Sequence, residues 1–384
     1  MNGPLTQEPE KHRPLLASFF TKLKYKIGPL AHFMGFDNLV NVKASNVVCS
    51  IPERCWPNAT IQWESLRSHL VEMPVIRHAG VESYQYHSAL PPAFRTEWHF
   101  ARRHVYRFQD VLVHPRTGAC RVVNDMLQES YGSLRECLNA QPFPSSHGKL
   151  IELHGLATCI KAASFYHFLL EDLPRLLWML ALYPDVNIYL PAGAPRHCRD
   201  MLDLMVERKI IREYQTLRDD SMVKMADYVF TQAEALSGFV HSSDLCKLRN
   251  TFIPTCANLS DANDKIFISR RNTGRIFDNQ QELEEALTSA GYRIVCLEDI
   301  PFESQIKLLQ NAMVVVAAHG AGLANLVWCQ RGTRVLEIFS PRLMNDCYAR
   351  LSSTLGLDYA PLWASNTPNW GAVNIDQLRS ELAL

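Results

Sequence analysis

Along the second half of the chain, apolar residues fall in blocks whose period switches between that of a buried strand and that of a helix. Residues 313–318, Met-Val-Val-Val-Ala-Ala, form an unbroken apolar run that reads as a strand covered on both faces. The run breaks at His319 and Gly320, and apolar residues resume at Leu323, Leu326, Val327 and Trp328 with helical spacing. The same alternation predicts strands over 265–269, 292–297, 334–339 and 359–362 and helices over 279–290, 302–311 and 346–356. Strand and helix in strict turn, joined by short connections, predict an α/β unit with a parallel sheet and crossover helices.

The first half is less regular. Residues 1–40 mix Lys22, Lys24 and Lys26 with Leu16, Phe19, Phe20, Leu23 and Ile27, a basic amphipathic stretch that fits peripheral membrane contact or a helix packed on its own domain. Residues 46–123 are strand-like and punctuated by prolines, and the clearest piece is a hairpin of 105–113 and 120–123 about Pro115-Arg116-Thr117-Gly118. Residues 164–183 have helical period, with Pro174 predicting a kink or a second helix start. A strand over 186–190, a helix over 197–211 and a strand near 228–231 follow. The polar stretch 255–264 lacks an apolar period and divides the chain into halves, 1–255 and 256–384.

Composition narrows the partners. Lys plus Arg and Asp plus Glu both number 39 among 384 residues, so no global charge points to nucleic acid, and any anion site must be local. The eleven cysteines include no Cys-x-x-Cys pair and suit reduced thiols. No apolar run approaches the ~20 residues of a membrane span, and the polar start is unlike a secretory signal, so the expectation is a soluble, cytoplasmic protein. His78, His87, His99, His104 and His114 have no metal-ligand spacing and are read as unrelated.

Three features carry chemistry. The turn His319-Gly320-Ala321-Gly322 aims the amides of a helix start beyond the strand, which favours a phosphate, and its glycines let a ligand approach the backbone. Arg270, Arg271 and Arg275 follow the strand 265–269, and arginine forks match phosphate oxygens. Glu337 lies inside an apolar strand, where a carboxylate must be paired or hydrogen-bonded; a ribose acceptor and a structural ion pair both fit.

Taken in order, Phe165-Tyr166-His167-Phe168-Leu169-Leu170-Glu171-Asp172-Leu173-Pro174-Arg175-Leu176, then Ile268-Ser269-Arg270-Arg271 with Arg275, then His319 to Asn325, then Glu337-Ile338-Phe339, then Tyr348 and Tyr359 resemble the family 61 glycosyltransferases, over residues 105–362. That family includes plant xylosyltransferases and secretory-pathway O-linked N-acetylglucosaminyltransferases, and a bacterial capsular type suits this chain. The resemblance implies a GT-B architecture, two Rossmann-like domains facing across a cleft, and an inverting, metal-independent transfer from a UDP-linked sugar to a saccharide hydroxyl; the compact chain without a secretory-type start adds the expectation of surface polysaccharide synthesis. The lack of any Asp-x-Asp pair agrees with metal independence. The resemblance places the base among His167, Glu171 and Asp172, the diphosphate on Arg270, Arg271 and Arg275 with Gly320, Ala321 and Gly322, a phosphate or sugar oxygen on His319, and the ribose on Glu337; Asn325 braces the loop. Phe168 stands where many bacterial relatives have Trp. A nucleotide-sugar epimerase and a non-catalytic nucleotide-binding scaffold remain the alternatives.

Overall fold

The computed structural model describes residues 105–116, 118, 120–122, 125–127, 149–160, 164–218, 221–231, 238, 240, 242–253, 262–341 and 345–383, besides three short strands before them. Those are β1 (Cys49–Ser50), β2 (His69–Leu70) and β3 (Glu97–Trp98). The basic stretch at 1–40, the histidines His78, His87, His99 and His104, and most of the expected boundary at 255–264 lie outside the described residues.

Strands β4 (Val105–Val113), β5 (Cys120–Val122), β6 (Asp125–Leu127), β7 (Lys149–Cys159), β8 (Asn187–Leu190), β9 (Gln215–Thr216) and β10 (Ser221–Thr231) build the first sheet, in the order β6-β5-β4-β10-β7-β8-β9 with β1 beside β4. The expected hairpin is β4 and β5, paired antiparallel. On the other side of β4, β10, β7, β8 and β9 run parallel to one another. The helical segment 164–183 is continuous but changes register: α1 (Phe165–His167) leads into a π-helical turn (Phe168–Asp172) and then α2 (Leu173–Leu182). Pro174 sits in the first turn of α2, where its missing N–H is harmless, and the ladder widens immediately before it. Helices α3 (Arg196–Glu207) and α4 (Ser242–Phe252) complete this half.

The second sheet is wholly parallel: β11 (Asp264–Ile268), β12 (Arg293–Val295), β13 (Ala312–Ala318), β14 (Arg334–Phe339) and β15 (Asp358–Trp363), ordered β12-β11-β13-β14-β15. Helices α5 (Gln280–Ser289), α6 (Phe302–Gln310), α7 (Cys347–Leu355) and α8 (Ile375–Leu382) connect or follow these strands. Renumbered from its first strand, the order is 2-1-3-4-5, a doubly wound sheet whose direction of winding reverses between β11 and β13. Ligands of such sheets bind beyond the carboxyl ends of the strands at that reversal.

The helix expected after β13 is present, wound as a 3-10 helix, Ala321–Trp328. The two halves also share apolar core: Leu176, Met205, Phe252, Phe302, Leu326 and Trp328 belong to one buried cluster, with the rings of Phe252, Phe302 and Trp328 in mutual edge contact.

Candidate functional site

At the reversal point β11 delivers Arg270 and β13 delivers His319 and Gly320. The Arg270 guanidinium donates from Nη1 to the His319 carbonyl at 2.6 Å and lies directly on the Gly320 backbone. A Cβ on Gly320 would stand 1.8 Å from that nitrogen, so glycine is required here for the arginine to approach. The backbone of Gly320 is extended, with φ 169 and ψ 169, so conformation alone makes no such demand. Burial, then the neighbouring Arg275, lowers the Arg270 pKa from its ordinary value. The turn expected to admit a ligand therefore admits Arg270 first. Asn325, fully buried, bonds the Gln305 side chain, the Gly322 carbonyl and the Trp328 indole, and so braces the 3-10 helix.

Glu337 has no exposed side-chain surface. Its Oε1 lies 2.5 Å from His319 Nδ1, and its Oε2 accepts from the Tyr359 hydroxyl at 2.6 Å. Register explains the meeting. Glu337 is aligned with Ala317 on β13 and Pro361 on β15, so His319, two residues past Ala317, and Tyr359, two before Pro361, reach its face of the sheet. Phe339 stacks on the His319 ring at 5.3 Å. Of the two roles open to Glu337, this placement corresponds to the structural pair.

The helical segment 165–182 supplies a second dyad of the same kind. His167 Nδ1 lies 3.0 Å from Glu171 Oε2, and Glu171 Oε1 accepts the Gly238 amide at 3.1 Å. The His167 side chain is 30% exposed and that of Glu171 9%, whereas Asp172 is fully buried in an ion pair with Arg175. The exposed edge of the trio is therefore the imidazole.

The dyads are neighbours. The His167 ring touches Tyr166 edge-on at 5.4 Å, Tyr166 touches Tyr348 at 5.7 Å, and Tyr348 lies 5.4 Å from His319. Burial foremost raises the pKa of Tyr166, Tyr348 and Tyr359 well above the ordinary phenol value, so the seam between the dyads is neutral. The Cys347 thiol is also raised, by burial first and then by Glu337, with Glu171 contributing. Tyr166, Tyr348 and Tyr359 lie inside the motifs of the sequence resemblance, but nothing in their spacing signals that they meet the two dyads.

The remaining arginines diverge. Arg275 stacks on Trp370 at 5.5 Å beside a narrow recess that His319 and Ser340 also line. Arg271 turns toward the sheet edge, its Nη1 3.7 Å from Glu284 and more than half exposed. Ala321 and Gly322 open the 3-10 helix beside these groups. Among the described residues no group of three or more His, Cys, Asp or Glu is arranged to hold a metal, and no helix is long and apolar enough to cross a membrane.

Residues 165–336 match a family model described as Glycosyltransferase 61, a span that holds His167, Glu171, the three arginines and the glycine turn and stops one residue before Glu337. The chain is similar to a beta-1,2-xylosyltransferase of Arabidopsis thaliana, 29% identical over 83 residues (21% of this chain, 16% of the relative). It is 40% identical over 57 residues to a beta-1,2-xylosyltransferase of Oryza sativa subsp. japonica, covering 15% of this chain and 11% of that one. It is 31% identical over 108 residues to protein O-linked-mannose beta-1,4-N-acetylglucosaminyltransferase 2 of Bos taurus, covering 27% and 19%. The chain thus matches less than a fifth of the length of each of these relatives.

Proposed function

We propose that this protein is an inverting glycosyltransferase that moves a sugar from a nucleoside diphosphate, UDP in the first instance, to a saccharide hydroxyl. The observation that carries the reading is the adjacency of the two histidine–carboxylate dyads, His167–Glu171 and His319–Glu337, at the reversal point of a doubly wound sheet. With Nδ1–H donated to Glu171, the neutral His167 ring carries its lone pair on Nε2. That nitrogen takes the proton of the acceptor hydroxyl as its oxygen bonds to the anomeric carbon. The bond from that carbon to the diphosphate breaks, and the diphosphate leaves with the electron pair.

One displacement inverts the anomeric centre. Double displacement would need a carboxylate nucleophile, and the acids beside His167 do not offer one: both oxygens of Glu171 hold partners, and Asp172 is buried against Arg175. The leaving charge falls to Arg270, Arg275, His319 and the amides of Ala321 and Gly322, so the reading invokes no metal. Glu337 holds His319 in place of contacting ribose. The two sheets are, in this reading, the two Rossmann-like halves of a GT-B enzyme. The acceptor is a surface polysaccharide, reached from the cytoplasm.

The relatives' names single out xylose and N-acetylglucosamine as sugars to try. Calorimetric titration with UDP, followed by product analysis with UDP-xylose and UDP-N-acetylglucosamine over a panel of saccharide acceptors, tests the proposal. His167→Gln should abolish transfer, by about 10²–10⁴-fold, while leaving UDP affinity unchanged. Full turnover in that variant would overturn the assignment of the base, and conversion of donor without acceptor would favour an epimerase.

A further inference from the structure

Arg350 lies on α7, in the half that carries the glycine turn, and is only 2% exposed. A buried guanidinium is costly unless its donors are used. Its Nη1 pairs with Asp346 one helical turn earlier. Its Nε and Nη2 both reach the carbonyl of Gly238, at 3.2 and 3.0 Å. The amide of the same Gly238 donates to Glu171 Oε1, and Glu171 Oε2 holds His167 Nδ1. One glycine thus carries a hydrogen bond on each side, toward Arg350 through its carbonyl and toward Glu171 through its amide.

Gly238 is suited to that place in two ways. Its φ of +92° is a conformation that other residues rarely adopt. A Cβ there would stand 3.1 Å from Arg350 Nη2 and 3.5 Å from Cys347 Cβ, so a side chain would crowd the fork. Arginine is suited as well, because its planar guanidinium can reach one carbonyl with two donors while a third nitrogen serves a carboxylate; lysine has a single nitrogen.

We propose that Arg350, held by Asp346 and acting through Gly238, is the positioning residue for the His167–Glu171 dyad. It fixes the orientation of the Glu171 carboxylate and thereby keeps the His167 proton on Nδ1. The helix that supplies Tyr348 to the neighbouring dyad would then also set the tautomer of the base. The inference rests on the reading of His167 as the base, but the tautomer can be measured without any substrate.

The experiment is long-range proton–nitrogen NMR on the full chain labelled with ¹⁵N-histidine, the His167 signals being assigned by their loss in His167→Gln. The wild-type ring should show the Nδ1–H tautomer. Arg350→Lys, which keeps the positive charge beside Asp346, should shift His167 toward a mixture of tautomers. It should also lower turnover about ten- to a hundredfold, the scale of a small misplacement, with UDP affinity unchanged. In a Glu171→Ala background the same substitution should cost no further turnover, because the partner through which Arg350 acts is gone. If Arg350→Lys does not fold, Asp346→Asn carries the test and should move the tautomer in the same direction.

An unchanged His167 tautomer in a folded variant would overturn the proposal, even if the melting temperature fell, since that is what a merely structural anchor would do. A tautomer shift in a protein that transfers no sugar would instead sustain the relay and sink the transferase reading.

Discussion

Replacing Glu337 by alanine separates the two roles that its place in the sequence allows. In the structure the carboxylate is inaccessible and accepts from the Tyr359 hydroxyl and pairs with His319 Nδ1. Glu337→Ala would leave both partners without an acceptor, Tyr359 itself being only 1% exposed. Each stranded buried group costs about 1–3 kcal/mol. Breaking one side of a buried pair typically costs about 3–5 kcal/mol, so the ligand-free protein should lose roughly that much stability. Glu337→Gln should cost only about 1 kcal/mol. Its amide oxygen can still accept from Tyr359, and its NH₂ can donate to Nδ1 once the His319 proton moves to Nε2. Urea unfolding without nucleotide, read by tryptophan fluorescence, measures both. A ribose ligand facing solvent would give the opposite result: alanine would change ligand-free stability by less than about 0.5 kcal/mol while weakening UDP binding. That outcome would refute the buried-pair account.

Gly320→Ala should behave like Arg270→Ala, because the new methyl occupies the guanidinium's position. Loss of one charged contact to a diphosphate should weaken UDP by about ten- to a hundredfold in calorimetry. Arg271→Ala should change UDP affinity less than threefold, about 0.6 kcal/mol, since its guanidinium lies beside Glu284 at the sheet edge. Tyr166, Tyr348 and Tyr359 have pKa values raised by burial, so they should stay neutral in the folded chain at pH values where exposed tyrosines ionise, near 10. The unfolded chain loses these protons first. Their contribution to stability is therefore complete below about pH 10 and falls as pH rises toward the folded values. Absorbance at 295 nm should show these phenols ionising only together with unfolding.

The strands of the second sheet are legible because several are covered on both faces over part of their length and leave continuous apolar runs; the clearest is 313–318, buried from Val314 to Ala317. Strand β7 was not legible. It reads Lys-Leu-Ile-Glu-Leu-His-Gly-Leu-Ala-Thr-Cys, with Leu150 54% exposed and burial beginning only at Ala157, so neither period stands out. The helix at 321–328 is legible in the sequence, but its pitch is not. Leu323 to Trp328 are all buried, so the spacing of apolar residues cannot separate 3.0 from 3.6 residues per turn. At the site, the helical period of residues 164–183 puts His167 and Glu171, four residues apart, on one face, and there they meet. The Glu337 partners could not be foretold, because they depend on which strands flank β14 and in what register. Nor could the Gly238 contacts, which join residues 67 and 112 positions apart.

Those distant contacts bear on how a nucleotide sugar would be received. Besides the Gly238 bridge, Arg249 of α4 reaches the carbonyls of Val327 and Cys329, the latter at 2.8 Å, and Arg208 reaches Glu303 on α6 at 3.0 Å. The buried cluster runs on through Phe252, Phe302 and Trp328. Opening a hinge between the halves would expose that aromatic contact and give up the charge-assisted hydrogen bonds of Arg249 and Arg350, each worth about 1.5–3 kcal/mol where buried, a larger total than the binding of one diphosphate readily supplies. Ligand should therefore rearrange Arg270 and the glycine turn locally, on halves already held together. Small-angle scattering with and without saturating UDP should then show the same radius of gyration, and a contraction on binding would mean that the shared core opens in the ligand-free protein.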